Sequence, residues 1–394
     1  MAGCDMFAEE EDEGADVLYV YSWGDYLSED VIKQFEEETG IKVVLDEYDT
    51  NESMYPRIAE GAEAYDVLCP SDYMINKLIH NNLLQPLDFS QLPNARANIG
   101  QDFFDQSRVF DREGKYTVPY CWGTVGIMYN TKMVHEPVDS WKILWDEKYK
   151  DSILMQDSAR DAIMIPLRIL GYSMNTVNED ELMAARDMLI QQKPLVQAYG
   201  VDDIRDKLSS GEAALGVIFS GEAINLMKSN PDLRFQPAPK EGTNVWIDGW
   251  VIPKNARHVE NAHKFIDYMC RPDIAIRNMD GTGYVSANGA FEVLESQIDE
   301  EWDPIDLSYF FGEEAASVCV NPVLYPDKAV IDRCALEHDW GKDTDKLLAM
   351  WSRVKGDNAS SLTYVIIALA LASILAAVIV SKNSKKRRHR KSRR

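Results

Sequence analysis

Apolar and polar positions over the first eighty residues switch repeatedly between strand-like runs and helix-like faces. Residues 16–23 (DVLYVYSW) form a β-rich apolar run; Ser28 then offers an N-cap to a helix with Val31, Ile32 and Phe35 on one face, stopped at Gly40. Residues 41–48 (IKVVLDEY) read as a second strand, and Asn51 as the cap of a helix carrying Met54 and Ile58. Residues 65–71 (YDVLCPS) read as a third strand, followed by a helix with Ile75, Leu78 and Ile79. This βαβαβ order predicts a parallel sheet with helices on both faces. Ligands of such sheets lie beyond the carboxyl ends of the strands, so Trp23 and Ser71 fall where a site is expected.

The opposite end of the chain has no such alternation. Residues 362–380 (LTYVIIALALASILAAVIV) run nineteen positions without a charge, the length of a membrane-crossing helix. A buried core helix of that length would carry a polar stripe, and this one carries none. The basic run at 381–394 then predicts a cytoplasmic C-terminus by the positive-inside rule, with the body outside the cell. A nucleic-acid reading of the basic run is weakened by its position directly after a span. At the other end, Met1-Ala2-Gly3-Cys4 resembles the last residues of a bacterial lipoprotein signal, yet no charged n-region or apolar h-region precedes it. Either the start has been trimmed or Cys4 is an ordinary residue. The acidic run at 9–13 reads as part of a solvated linker, residues 1–15.

Composition sharpens the picture. The 394 residues allow two domains, and 9 Trp, 18 Tyr and 12 Phe argue for a packed body rather than a disordered one. Net charge is −24, with nine Lys/Arg in the last thirteen residues; taking those nine away leaves −33 on residues 1–381. Such a body repels nucleic acid and anionic lipid and attracts cations, although charge alone also means solubility. The six cysteines form no CxxC pair and have no histidine at metal spacing, which argues against zinc. Cys319 and Cys334 are close enough in sequence to bridge in an oxidising compartment, and the sequence leaves that open.

Candidate chemistry gathers at the predicted strand ends: Trp23-Gly24-Asp25-Tyr26, Pro70-Ser71-Asp72-Tyr73, Phe219-Ser220-Gly221-Glu222 and Trp246-Ile247-Asp248. A polyamine is an apolar chain with an ammonium every few carbons. It calls for aromatic faces along the methylenes and carboxylates at the nitrogens. Each residue also has a plain reading, the aromatics as core and the acids as helix caps.

From about residue 17 to 353 the chain resembles the bacterial spermidine/putrescine-binding proteins of the periplasmic binding family. The segments LYVYSWGDYLSEDVIKQFEEETGIKV, NESMY, YDVLCPSDYMINKL, YTVPYCWGTVGIMYN, SARD, GVIFSGEA, VWIDGWVIP, GTGYVSAN and LYPD carry the resemblance. It implies a two-lobed α/β periplasmic-binding-protein fold (type II), with residues 16–123 and 249–295 in one lobe. Residues 127–245 and 296–355 would form the other. It also implies aromatic walls at Trp23, Tyr26, Tyr73, Trp246 and Tyr284, a hydrogen bond from Ser71, a central amine at Asp248 and a terminal one at Asp161. Asp25 and Glu222 match positions that are acidic in some members, especially putrescine-preferring ones. Ser158 stands where spermidine-binding members have aspartate, Phe219 where tryptophan is usual and Glu337 where some have glutamine. Asp72 replaces a neutral residue of some members and reads equally as a cation contact or a helix cap. The resemblance implies a polyamine ligand, an ABC permease and ATPase as partners, and no cofactor or enzymatic activity.

Two other readings stand beside it. The same fold can host a cleft cysteine nucleophile, with Cys69 and Cys121 near predicted strand ends, although a base within reach is required. A membrane-tethered sensor or adaptor for another cationic solute is the second, with no output domain after the span.

Overall fold

A computed structural model describes residues 16–61, 64–201 and 203–356. Cys4, the span at 362–380 and the basic tail lie outside the described residues. Among the described residues no helix is long and apolar enough to cross a membrane.

β1 (Val17–Trp23) leads through α1 (Glu29–Thr39) to β2 (Lys42–Tyr48), and α2 (Asn51–Glu60) leads to β3 (Val67–Leu68). The three strands are parallel in the order β2-β1-β3, Val17 facing Lys42 and Trp23 facing Tyr48. Gly40 ends α1 in the left-handed conformation, as its missing Cβ permits. The start of α2 differs from expectation. Thr50, not Asn51, is the N-cap, because its hydroxyl accepts the N–H of Ser53 while the Ser53 hydroxyl accepts the Thr50 N–H. The third strand is also shorter than its apolar run, since Pro70 has no N–H to extend a ladder.

α3 (Asp72–His80), β4 (Leu84–Gln85), α4 (Pro93–Asn98) and α5 (Gln101–Ser107) precede β5 (Val118–Asn130). β5 is buried along almost all of its length. Next come β6 (Ile153–Gln156), α6 (Ala159–Ile169), α7 (Glu179–Gln192), β7 (Val196–Gly200), α8 (Asp203–Ser209), β8 (Leu215–Phe219), α9 (Ser220–Ser229) and β9 (Leu233–Gln236). β10 (Val245–Trp250), β11 (Ile252–Pro253), α10 (Val259–Met269), α11 (Pro272–Thr282) and β12 (Val285–Ser286) follow. The N-terminal half of β5 pairs antiparallel with β10 and β12, and its C-terminal half with β8 and β9. β6 lies parallel to β7 and β8 beyond it.

The core under the first sheet is aromatic. Phe35 meets Phe265 edge-on at 5.2 Å, Phe265 meets Trp250 at 5.5 Å, and Trp250 meets Tyr120 at 4.4 Å. Buried rings of this kind each remove 150–250 Å² from water, roughly 4–6 kcal/mol at about 25 cal/mol per Å². The described chain divides after Thr344. Beyond that point, the helix Thr344–Gly356 carries Leu347, Trp351 and Val354 at the spacing of one helical face.

Candidate functional site

Strand ends and helix starts converge on a cleft of about 790 Å³, the part open to solvent included. Trp23 at the end of β1, Tyr48 at the end of β2, Glu52 in α2 and Ser71, Asp72 and Tyr73 at the start of α3 form one side. Gln156 at the end of β6, Ser158 and Asp161 at the start of α6, and Phe219 and Glu222 across the β8–α9 junction form the other. Trp246 and Asp248, two apart on β10, both face the cleft, as strand alternation requires. Tyr26, Tyr284 and Glu337 complete the lining.

Six rings run through the cleft as a continuous belt. Centroid separations are 4.8 Å from Tyr48 to Trp23, 6.4 Å on to Tyr26 and 4.5 Å on to Tyr284. From Tyr284 the belt continues at 6.1 Å to Trp246 and 6.2 Å to Phe219. Gly221 makes room for it, because a Cβ there would strike the Tyr284 ring.

Seven carboxylates line the same space (Asp49, Glu52, Asp72, Asp161, Glu222, Asp248 and Glu337), and among the described residues no lysine or arginine does. Four of the acids sit in the first turn of a helix: Glu52 in α2, Asp72 in α3, Asp161 in α6 and Glu222 in α9. Helix N-termini on their own attract anions; a carboxylate in each first turn satisfies that preference internally and reverses the sign of the site.

The electrostatics are those of carboxyl groups held in a desolvated, acid-rich cavity. Burial pushes the Asp248 carboxyl up to about 7, against hydrogen bonds from Tyr26 and Ser71. Burial, and after it the Glu337 charge, pushes Asp161 up to about 7 against the opposing pull of Ser158 and Arg160. Asp72 is raised well above the carboxylate range by burial and then by Glu337. Burial also raises Glu337, with Arg160 pulling back. Asp248 Oδ1, Asp72 Oδ2 and Glu337 Oε1 are buried without a hydrogen-bond partner.

Asp66 shows how this protein treats a structural buried acid. Its Oδ1 accepts the N–H groups of Arg257 and His258 at 2.9 and 2.8 Å, and its Oδ2 accepts the Tyr19 N–H at 3.0 Å. Buried polar atoms are normally satisfied in this way, so the three unpartnered carboxylate oxygens, with Gln156 Oε1 and Asn244 Oδ1 in the same lining, suit hydrogen-bond donors on a bound solute.

Behind the wall lies a buried cation, Arg160. Its Nε donates to Glu337 Oε2 at 3.0 Å and its Nη2 to Asn175 Oδ1 at 2.9 Å. Its guanidinium lies 5.3 Å from the Tyr73 ring centre and 4.0 Å from that of Trp340. Tyr73 in turn donates its hydroxyl to Glu52 at 3.0 Å.

Of the residues singled out from sequence, Asp25 alone does not line this cleft. A left-handed backbone at Asp25 (φ 58°) turns its carboxylate out to solvent, where Arg205 Nη1 donates to it at 2.7 Å. It borders a neighbouring hollow that shares only Glu222 and Tyr284 with the cleft. Ser71 occupies the N-cap position of α3 without a side-chain capping bond, and Asp72 Oδ1 accepts the Tyr73 N–H at 2.6 Å while its other oxygen lines the cleft, so Asp72 has a contact of each expected kind. Tyr48, Glu52, Gln156, Asn244 and the supporting Arg160 were not singled out, although Glu52 lies in the NESMY segment and Arg160 in SARD.

A cysteine nucleophile has no footing here. Cys69 and Cys121 are fully buried, line no part of the cleft, and have thiols pushed well up by burial. Cys121 lies inside β5, not at its end. Cys319 and Cys334 are free thiols.

Two α/β sheets meeting at a cleft of rings and carboxylates have the architecture of a solute-binding protein. The family model for bacterial extracellular solute-binding proteins matches residues 30–300, and the chain belongs to that family. The spermidine/putrescine-binding periplasmic protein of Salmonella typhimurium is 33% identical over 328 residues, 83% of this chain and 88% of its own. The putrescine-binding periplasmic protein of Pseudomonas aeruginosa is 29% identical, covering 86% of this chain and 92% of its own. Among solved structures, the spermidine/putrescine ABC transporter substrate-binding protein from Streptococcus pneumoniae superposes with a TM-score of 0.70 at 35% identity. That match covers 86% of this chain and 99% of that one. The fold is thus the two-lobed periplasmic-binding-protein fold expected from the sequence.

Proposed function

We propose that the chain captures a polyamine in this cleft and delivers it to an ABC permease with its ATPase. The observation that carries the reading is the unbroken belt of six rings flanked by carboxylates with no basic residue in the lining among the described residues. Rings cover methylenes and attract ammonium groups, at roughly 0.5–2 kcal/mol each; carboxylates in a desolvated slot supply charge-assisted hydrogen bonds. The names of the relatives agree with that chemistry. In this reading Trp23, Tyr26, Tyr73, Trp246 and Tyr284 wall the methylene chain, Asp248 holds a central amine and Asp161 a terminal one. Ser71, Ser158, Phe219, Glu222 and Glu337 complete the contacts.

The lobes would be residues 16–123 with 249–295 and residues 127–245 with 296–355, closing on the ligand. The uncharged run at 362–380 would tether the body outside the cell, with 381–394 in the cytoplasm; its support is the sequence pattern alone.

Titrating the full-length chain with putrescine, cadaverine, spermidine and spermine tests the ligand. Heat and a tryptophan fluorescence change at micromolar affinity or better, roughly −8 kcal/mol, are expected with at least one of them. Silence with all four overturns the reading. Protease added to intact cells should digest the body and spare an epitope placed after Arg394; a protected body overturns the tether.

A further inference from the structure

Nine large apolar side chains are exposed among the described residues, and three of them, Phe291, Ile298 and Trp302, share one short segment. Phe291 and Trp302 are the two aromatic ones, at 43% and 40% exposure. Single exposed apolar residues are ordinary, whereas a local group of them on a folded surface marks an interaction site.

The segment is held in place by its backbone. Phe291 opens α12 (Phe291–Glu295), whose Val293 and Leu294 are buried. Ile298 then pairs antiparallel with Val320, and the Asp299 N–H donates to the Cys319 carbonyl at 2.9 Å. β13 (Pro304–Ile305) returns against β14 (Val318–Cys319), so both feet of the loop 299–303 are tied to one strand. Within the loop the Trp302 N–H donates to the Asp299 carbonyl at 3.1 Å, and the Glu301 N–H to Asp299 Oδ1 at 3.0 Å. The fold thus holds an indole in water and forgoes the gain of burying it.

Charge indicates the occupant. From residue 278 to residue 327 the sequence has eleven Asp and Glu and no Lys, Arg or His. Asp299, Glu300, Glu301 and Asp303 surround Trp302 in sequence, and all four are exposed. A second copy of this acidic body would bring like charge to them, and anionic lipid would be repelled in the same way. None of these residues lines the cleft. We propose that Phe291, Ile298 and Trp302, with the acids around them, form a docking surface for a partner protein that presents a basic amphipathic segment. The apolar face of that segment covers the two rings, and its lysines or arginines meet the loop. Aromatic anchors inside a charged rim have the anatomy of a protein interface, with the rim setting encounter rate and salt dependence. The inference is independent of the polyamine reading.

The test uses the full-length chain and a fluorescent helical peptide with lysine on one face and leucine on the other. A peptide with glutamate in place of lysine runs beside it. By anisotropy the lysine peptide should bind saturably, at least about tenfold tighter than its glutamate counterpart, and more weakly as salt is raised. Trp302→Ala should weaken it at least about tenfold, as loss of an aromatic anchor does. Glu300→Lys with Glu301→Lys should do the same. Glu37→Lys with Glu60→Lys makes the same charge change at exposed positions of α1 and α2, and should alter binding less than about threefold. All these changes are to exposed side chains, so the variants should melt with the parent and keep its polyamine affinity. Equal weakening by the two charge pairs, with Trp302→Ala inert, is diffuse attraction to an acidic body and overturns the site. Self-association in sedimentation, or capture on phosphatidylglycerol vesicles, that Trp302→Ala abolishes overturns the basic partner in favour of a second copy or a membrane.

Discussion

Tyr26 and Asp248, 222 residues apart in sequence, are joined by a hydrogen bond of 2.6 Å in which the phenol donates to Oδ2. The bond fixes the plane of the carboxylate and leaves Oδ1 bare to the cleft. The same phenol ring lies 4.5 Å from that of Tyr284, tilted against it, so the residue that aims the charge also forms part of the wall beside it.

Asp248→Asn keeps the shape and removes the counter-charge of a desolvated ammonium. Affinity for the best polyamine should fall by about 2–5 kcal/mol, roughly 30- to several-thousand-fold. Tyr26→Phe removes only the orienting bond and should cost about 1 kcal/mol. Asp25→Asn, at an exposed pair with Arg205, should change affinity by less than about 1 kcal/mol. Titration of the three proteins orders them, and a folded Asp248→Asn protein that binds like the parent would exclude Asp248 as a ligand contact.

The pH dependence follows from Asp248 and Asp161, each pushed up to about 7 by burial. Asp248 faces Tyr26 and Ser71, and Asp161 faces Ser158, Glu337, Arg160 and Glu52. Both must lose their protons to hold an ammonium, while the amines keep theirs until about pH 10. Affinity should therefore rise between pH 5.5 and 8, by up to about 30-fold for each group, with protons released on binding near pH 6.5. The empty protein behaves oppositely. A folded-state pKa raised above the unfolded value of about 3.9 gives stability that is full below pH 4 and lost as pH rises through about 7. The melting temperature of the empty chain should thus fall from pH 5 to pH 8, and fall less in Asp248→Asn. Calorimetry in buffers of different ionisation heat reads the proton count.

Tyr284 depends on Gly221, where a methyl group would strike its ring. Gly221→Ala should push the ring into the cleft or out of the belt, at the roughly 1–3 kcal/mol typical of overpacking. Polyamine affinity should drop about tenfold or more, with altered near-ultraviolet dichroism from the aromatic belt. Unchanged affinity and spectrum would mean that the backbone of α9 yields instead.

The legible parts of this protein are those set by local pattern. The apolar runs of β1 and β2, the Gly40 stop and the shared face of Trp246 and Asp248 all follow from periodicity and from what glycine permits. Long-range geometry was not legible. Thr50 outcompetes Asn51 as a cap because Ser53 closes a reciprocal box with it. The left-handed turn at Asp25 rotates its carboxylate out of the cleft, and no periodicity reveals that turn. Glu52 and Arg160 in sequence are an ordinary acid and an ordinary base in first helical turns. Only the fold shows the one bonded to Tyr73 and the other buried between Tyr73 and Trp340. Ser71 and Asp248 meet as an isolated antiparallel bridge that neither local segment announces.

Arg160 is the residue whose loss separates architecture from binding. It and Glu337 are each about 3% exposed, so their ion pair is fully buried, and the guanidinium packs against two rings as well. A buried pair contributes little net stability relative to apolar replacements, but removing one partner strands the other charge at a cost of about 3–5 kcal/mol. Arg160→Met should therefore lower the urea midpoint of the empty chain markedly. Combining it with Glu337→Gln removes the stranded charge and should restore most of the loss, because the methionine still fills the space between Tyr73 and Trp340. If the double variant is no more stable than Arg160→Met alone, the guanidinium acts through its bonds to Asn175 and its ring contacts rather than by neutralising Glu337.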